Sequence, residues 1–172
     1  MMMSMHITNI FLMSQNAILI NLKVYKTEIL FRKDYKMAEL HLRGWLVSDD
    51  GVAIQPVKGR NWGDVIAEEV AKFLNGTWSD YGLGGMCAVH PHCRLRIWYS
   101  DFDGTLEEVM EQFDMKLFGG KVESEYHQVG YSEYTITGID VDNFTIGGHD
   151  LEMELSSHIG EFCHFILETD ME

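Results

Sequence analysis

The chain has 172 residues, of which 46% are hydrophobic, and it carries a formal net charge of −14. This length fits one domain, and this hydrophobic content supports a packed core, which argues against global disorder. The strong negative charge argues against nucleic acid as a direct partner, because phosphates would be repelled.

The cysteines and the apolar runs bear on the compartment. The chain has three cysteines, an odd number, and no signal-peptide pattern, so they do not describe a disulfide framework. No uninterrupted apolar run reaches the ~18 residues expected of a membrane helix. We therefore expect a protein of the reducing cytoplasm that crosses no membrane.

Residues 1–36 differ from the rest of the chain in charge. They hold five of the 13 basic residues and two of the 27 acidic ones, which leaves eight basic and 25 acidic residues for 37–172. Two interpretations remain open for this segment: an extension that is not part of the native fold, or a basic arm that docks on the acidic body or on a membrane surface. We predict a single acidic domain over residues 37–172.

The domain begins with a predicted hairpin and helix. Apolar patterns indicate strands over 40–47 and 52–57, with an Asp-Asp-Gly turn between them. Asn61 suits the N-cap of a helix that runs to Leu74 and places its apolar side chains on one face.

A strand and a second helix form the middle of the domain. A glycine-rich loop extends to about His92, and strict alternation predicts a strand over 95–99. Thr105 and Glu108 form a capping box for a helix that buries apolar residues as far as Leu117. One face of the strand is expected to be wet, and its side chains are Arg94, Arg96 and Trp98.

Three further strands lead to a C-terminal unit. They are predicted over 121–129, 134–139 and 144–146, with a turn at Asp140-Val141-Asp142. Strands with one apolar face that alternate with helices favour an α+β fold, a mainly antiparallel sheet with two or three helices packed on it.

The C-terminal unit consists of a glycine turn, a short helix and a strand. Gly147-Gly148 forms the turn, and Asp150 suits the N-cap of the helix. Gly160 ends the helix in a left-handed conformation, and the apolar run 162–167 indicates a buried strand. The predicted buried stripe of the helix consists of Leu151, Leu155 and Ile159.

A compact set of cysteines and histidines offers ligands for a metal. Cys87, His90, His92 and Cys93 lie together in the glycine-rich loop, and thiolates and imidazoles are the ligands that zinc prefers. Structural zinc sites usually join two separated ligand pairs, so four ligands this close would strain a tetrahedral site. The alternative is that these residues have only loop and core roles, and we predict no cofactor.

The segment from Asp101 to Thr105, with the sequence DFDGT, resembles the first motif of haloacid-dehalogenase-type phosphatases. The resemblance implies that Asp101 is the nucleophile, that Asp103 is the acid and base, and that magnesium screens the charge. That family places the motif after a parallel strand buried on both faces. The alternative is a turn that leads into a helix cap.

Acidic residues cluster around the second helix and in a later turn. Such a set can mimic the charge of a nucleic-acid backbone and steer association with a basic groove, or it can be a solvated helix face. The candidate binding residues are Asp101, Asp103, Glu107, Glu108, Glu111, Asp114, Asp140 and Asp142.

The second half of the chain, roughly residues 95–168, resembles small proteins of phages and mobile elements of Gram-positive bacteria. The resemblance rests on the stretches WYSD at 98–101 and YSEYT at 131–135, and above all on IGGHDL at 146–151. It implies no catalytic residue, but small acidic proteins of mobile elements are often inhibitors of host defence.

Charge, size and this resemblance favour a non-enzymatic, anti-CRISPR-like binding protein. We expect it to occlude the basic groove of a nucleic-acid-handling host protein, such as a CRISPR nuclease or a restriction enzyme. The alternative is a magnesium-dependent phosphatase that uses Asp101 and Asp103.

Overall fold

The computed structural model describes residues 37–48, 50–59, 63–79, 84–132 and 135–170, and Ala38–Asp170 form one compact unit. The proposed extension or arm of residues 1–36 lies outside these described residues. The helices are α1 (Ile66–Phe73), α2 (Leu106–Gln112) and α3 (Leu151–Ser156). The strands are β1 (Met37–Ser48), β2 (Val52–Gln55), β3 (Asp64–Val65), β4 (Thr77–Ser79), β5 (Gly85–Ser100), β6 (Lys116–Ser132), β7 (Thr135–Ile146), β8 (His149–Asp150) and β9 (Phe162–Asp170).

All these strands belong to one sheet. Its order is β3-β2-β1-β9-β5-β6-β7-β8, and β4 pairs with β5 beside this path. Where the structure gives a register within the described ranges, the pairing is antiparallel. The predicted α+β class with a mainly antiparallel sheet is confirmed. None of the helices in the described ranges has both the length and the apolarity that crossing a bilayer requires.

Alternation along β5 divides the sheet into two faces. Leu95 and Ile97 are fully buried in the main core together with residues of α1 and α3, and we call this side the core face. Trp98 points to the opposite side, where it packs with Val109 of α2 and Ile166 of β9, and we call this side the α2 face. The prediction of a wet face is therefore wrong at Trp98, because α2 covers it.

Two predicted boundaries are wrong because strand pairing extends the strands. The predicted loop up to His92 is largely strand, since β5 begins at Gly85 and pairs with β6 from there. The second helix ends at Gln112, and Leu117, which the sequence predicts on its buried face, belongs to β6 and is exposed.

The first helix also begins later than predicted. α1 starts at Ile66, and its N-cap residue, Val65, makes no side-chain capping bond. The predicted cap, Asn61, lies outside the described residues. The apolar face of the helix is nevertheless buried, since Ile66 and Val70 are fully enclosed in the core.

β7 replaces two predicted strands and the turn between them. It runs through Asp140 and Asp142 without interruption, opposite β6. The register shifts between Glu125 and Tyr126 of β6, so that Asp142 is an extra residue on β7. The predicted turn at 140–142 is wrong, because the local turn signal marks a β-bulge inside a long strand.

The C-terminal unit follows the prediction in most respects. Asp150 caps α3, since its carboxylate accepts a hydrogen bond from the Met153 N–H at 2.9 Å. The predicted positive φ of Gly160 is present, at 91°, but Gly160 does not end the helix, because α3 ends at Ser156 with Ser157 as its C-cap. β9 is buried over 162–167. Ile159 differs, because α3 ends before it and its side chain is exposed rather than part of the buried stripe.

Candidate functional site

α2 is held on the sheet by a small apolar cluster. Val109 is fully buried and packs with Trp98 and Ile166. Phe102 and Phe113 are partly buried and pack against this cluster. The packing fixes one side of α2 and leaves the others to solvent. The segment 101–114 therefore presents its polar side chains outward from a rigid base.

A capping box fixes the start of α2. The Thr105 hydroxyl accepts a hydrogen bond from the Glu108 N–H, and the Glu108 carboxylate accepts one from the Thr105 N–H at 2.8 Å. The box predicted from the sequence is confirmed, and it gives Glu108 a structural role that its acidic neighbours lack.

Thr105→Ala is expected to lower the free energy of unfolding by about 1 kcal/mol, because the Glu108 N–H loses its acceptor. Glu108→Gln is the matched control, since its amide oxygen still accepts a hydrogen bond from the Thr105 N–H. Urea unfolding of both variants measures the difference. Equal losses would contradict the expected difference, because the charge of Glu108 would then contribute as much to the stability of α2 as the Thr105 cap does.

Six of the eight predicted binding residues lie together around α2. All six are exposed, and within the described residues none of them pairs with a lysine or arginine. The segment itself contains no basic residue. We call this set the α2 acidic surface; it consists of Asp101, Asp103, Glu107, Glu108, Glu111 and Asp114.

Exposed apolar side chains accompany the α2 acidic surface. Met110 is 50% exposed on α2, and Met115 and Leu117, in the chain that leaves the helix, are 42% and 58% exposed. Met110 follows Glu107 by three residues, which places the two side chains on neighbouring parts of the helix surface. Flexible methionines beside charged groups are typical of binding surfaces that adapt to a partner.

Asp140 and Asp142 lie far from the α2 acidic surface. They face His127 of β6, which is eleven residues along the strand from Lys116, the first residue of β6. At the rise per residue of a β-strand, this separation is roughly 35 Å. The structure thus divides the predicted set into six residues and two.

His127 completes a cluster with these two aspartates, and sequence reasoning missed it. Its Nδ1 lies 2.5 Å from the Asp142 carboxylate, and its Nε2 lies 3.9 Å from the Asp140 carboxylate. The hydrogen bond with Asp142 raises the pKa of His127 above its usual value. The D-x-D spacing signalled a pair of carboxylates, but only the strand register brings the histidine to them.

The cysteines and histidines predicted as zinc ligands do not converge. Cys93 is buried in the core face, whereas Cys87, six residues earlier on β5, lies on the opposite side and faces β6. Among the described residues, the group of ligand-type side chains that gathers within 4.8 Å contains none of Cys87, His90, His92 and Cys93. Their position in a strand, instead of a loop, separates them.

The DFDGT motif forms a turn on the end of an antiparallel strand. β5, which leads into it, is antiparallel to β4, β6 and β9, the strands with which it pairs, whereas the phosphatase resemblance implies a parallel strand. Asp101 and Asp103 are both exposed. The buried His164 donates a hydrogen bond from Nε2 to the Gly104 carbonyl at 3.0 Å, which fixes the turn.

Two arrangements with different chemistry therefore stand out in the described part of the chain. The α2 acidic surface offers unpaired negative charge and exposed apolar area, which suits electrostatic association with a macromolecule. The cluster around His127 offers an imidazole and two carboxylates at close range. No family model, curated protein or solved structure matches the chain.

Proposed function

We propose that the protein is a non-enzymatic binding protein that acts in the bacterial cytoplasm by docking the α2 acidic surface in the basic groove of a host protein. The observation that carries this proposal is the set of six exposed carboxylates with no basic partner among the described residues. Charge that is left uncompensated on a rigid helix is free to interact with another molecule.

The physics of such a surface favours a groove that normally holds nucleic acid. A row of lysines and arginines that binds phosphates also attracts a row of carboxylates, and the attraction speeds association at low ionic strength. Met110 and its exposed apolar neighbours add area that can be desolvated once charge has oriented the partner. Occupation of the groove would exclude the nucleic acid.

The class of partner follows from the resemblance to proteins of phages and mobile elements. We propose a defence protein of a Gram-positive host, a CRISPR nuclease or a restriction enzyme, as the target. Both kinds of protein hold nucleic acid in positively charged channels, as RNA-guided nucleases do for the guide–target duplex.

The test is a double charge reversal, Glu107→Lys with Glu111→Lys. These two residues avoid the cap made by Glu108, so we expect the fold to be retained. The assay is inhibition of DNA cleavage by a guide-loaded CRISPR nuclease and by a restriction endonuclease of such a host. The reversal should weaken inhibition by at least about tenfold, and added salt should weaken wild-type inhibition in the same direction.

A matched control separates the surface from net charge. Asp64→Lys with Glu69→Lys changes the net charge by the same amount, but the two residues lie on β3 and α1, where they line one cleft. Glu69 pairs with Lys72 at 3.2 Å, so circular dichroism has to show that this variant is folded. This control should inhibit as well as wild type. Equal inhibition by the α2 reversal, or absence of inhibition by the wild-type protein for both nuclease classes, would contradict the proposal.

A further inference from the structure

We propose that His127, Asp140 and Asp142 form a binding site for a divalent transition-metal ion, Zn²⁺ in particular. Each residue offers one ligand atom, and the three atoms lie within 4.8 Å of one another. Ligand atoms that surround a zinc ion at about 2 Å are about 3.3 Å apart. The Asp140 and Asp142 side chains are 65% and 41% exposed, so rotation of these side chains is enough to close the difference.

A β-bulge brings both carboxylates to this side of the sheet. On a regular β7, the alternation that buries Phe144 would also turn Asp142 and Asp140 toward the core. The register shift instead packs Val141 against the core and leaves Asp140 opposite His127. Such a bulge interrupts the ladder and re-aims side chains, and bulges are frequent beside functional sites for this reason.

The donor set selects the kind of ion. Imidazole nitrogen favours zinc and neighbouring transition metals, whereas Mg²⁺ and Ca²⁺ prefer shells made of oxygen alone. Two carboxylates offset the charge of a dication, and Glu125 adds negative potential at His127. Water completes the coordination shell, because the two aspartates are open to solvent.

The histidine and one of the carboxylates already face each other. His127 Nδ1 and the Asp142 carboxylate share a hydrogen bond, so the imidazole is next to this carboxylate before an ion binds. A metal ion binds the neutral ring and would take the place of the hydrogen between these two side chains.

Isothermal titration of the untagged full-length protein with zinc chloride tests the proposal. We expect one site that His127→Gln and Asp142→Asn each weaken by at least about tenfold. His92→Gln is the matched control: it removes an exposed histidine from the Cys87/His90/His92/Cys93 set, and it should leave the affinity unchanged.

Proton NMR of the imidazole rings gives a second readout that does not depend on the heat of binding. Substoichiometric Co²⁺ should broaden the His127 ring resonances selectively, and circular dichroism without metal should show that each variant is folded. Zinc affinity that is unchanged in both His127→Gln and Asp142→Asn would overturn the proposal. Zinc affinity that is lost in His92→Gln but retained in His127→Gln and Asp142→Asn would also overturn the proposal. The zinc site would then consist of Cys87, His90, His92 and Cys93.

Discussion

Gly147→Ala is expected to lower the free energy of unfolding by about 3 kcal/mol or more, whereas Gly148→Ala should cost only about 1–2 kcal/mol. Both glycines have positive φ, 54° and 84°, and both central residues of a type I′ turn require it. A Cβ at Gly147 would also overlap the Gly119 carbonyl oxygen, while a Cβ at Gly148 would meet nothing within 4 Å. The two substitutions therefore share the backbone strain and differ in the clash.

Urea unfolding of the two variants measures this difference directly, because the chemical change is the same at adjacent positions. The Gly147 N–H also donates a hydrogen bond to the Lys121 carbonyl at 2.9 Å, so a shift that relieves the clash would weaken the junction of β6 and β7. Equal destabilisation in both variants would show that the positive φ alone governs this turn and that the close approach to Gly119 is not rigid.

The IGGHDL stretch shows which part of the fold is readable from sequence. Two consecutive glycines, an aspartate at the N-cap and leucines four residues apart act within a few residues of one another. Their consequences, a tight turn and a capped helix with Leu151 and Leu155 buried, are confirmed. The same holds for the capping box at Thr105, since local chemistry decides local geometry.

Strand limits and the bulge were not readable in this way. β5 starts at Gly85 because β6 pairs with it from that residue onward. β7 passes through Asp140 and Asp142 because it pairs with the other edge of β6. Aspartates are turn formers when only near neighbours are considered. Cross-strand hydrogen bonds outweigh that tendency, and nothing local in the sequence encodes them.

The two candidate sites also differ in how far the sequence alone predicts them. The α2 acidic surface comes from one continuous segment, 101–114, so its composition was visible in advance. The cluster of His127 with Asp140 and Asp142 joins two strands through a shifted register. Sequence reasoning grouped those aspartates with α2 by charge alone, because charge carries no information about which strand lies opposite.

His164→Ala is expected to lower the free energy of unfolding by about 3 kcal/mol near neutral pH, an effect as large as that of Gly147→Ala. The ring is 1% exposed, donates from Nε2 to the Gly104 carbonyl, and has Nδ1 3.0 Å from His41 Nε2. With Nε2 as the donor, Nδ1 of the neutral ring accepts the hydrogen bond from His41. Removal of the ring leaves a cavity and an unpaired carbonyl in the turn that carries Asp101 and Asp103.

The size of this loss should depend on pH. Burial lowers the pKa of His164, and of His41, below the usual value of 6.5. Below pH 6.5 these two histidines therefore bind protons more readily in the unfolded chain than in the folded chain. Their contribution to the free energy of unfolding is present above pH 6.5 and is lost as the pH falls. The raised pKa of His127 acts in the opposite direction, but it is common to wild type and variant and cancels in their difference.

Unfolding free energies of wild type and His164→Ala, measured between about pH 7.5 and about pH 5.5, test both parts. The difference in unfolding free energy between wild type and His164→Ala should be largest at the highest pH and should become smaller as the pH falls. His92→Ala, which removes an exposed ring, is the control and should follow wild type. A gap that stays constant would mean that the folded protein accepts a proton on His164 freely. The turn beneath the α2 acidic surface would then hold equally well at every pH in the range.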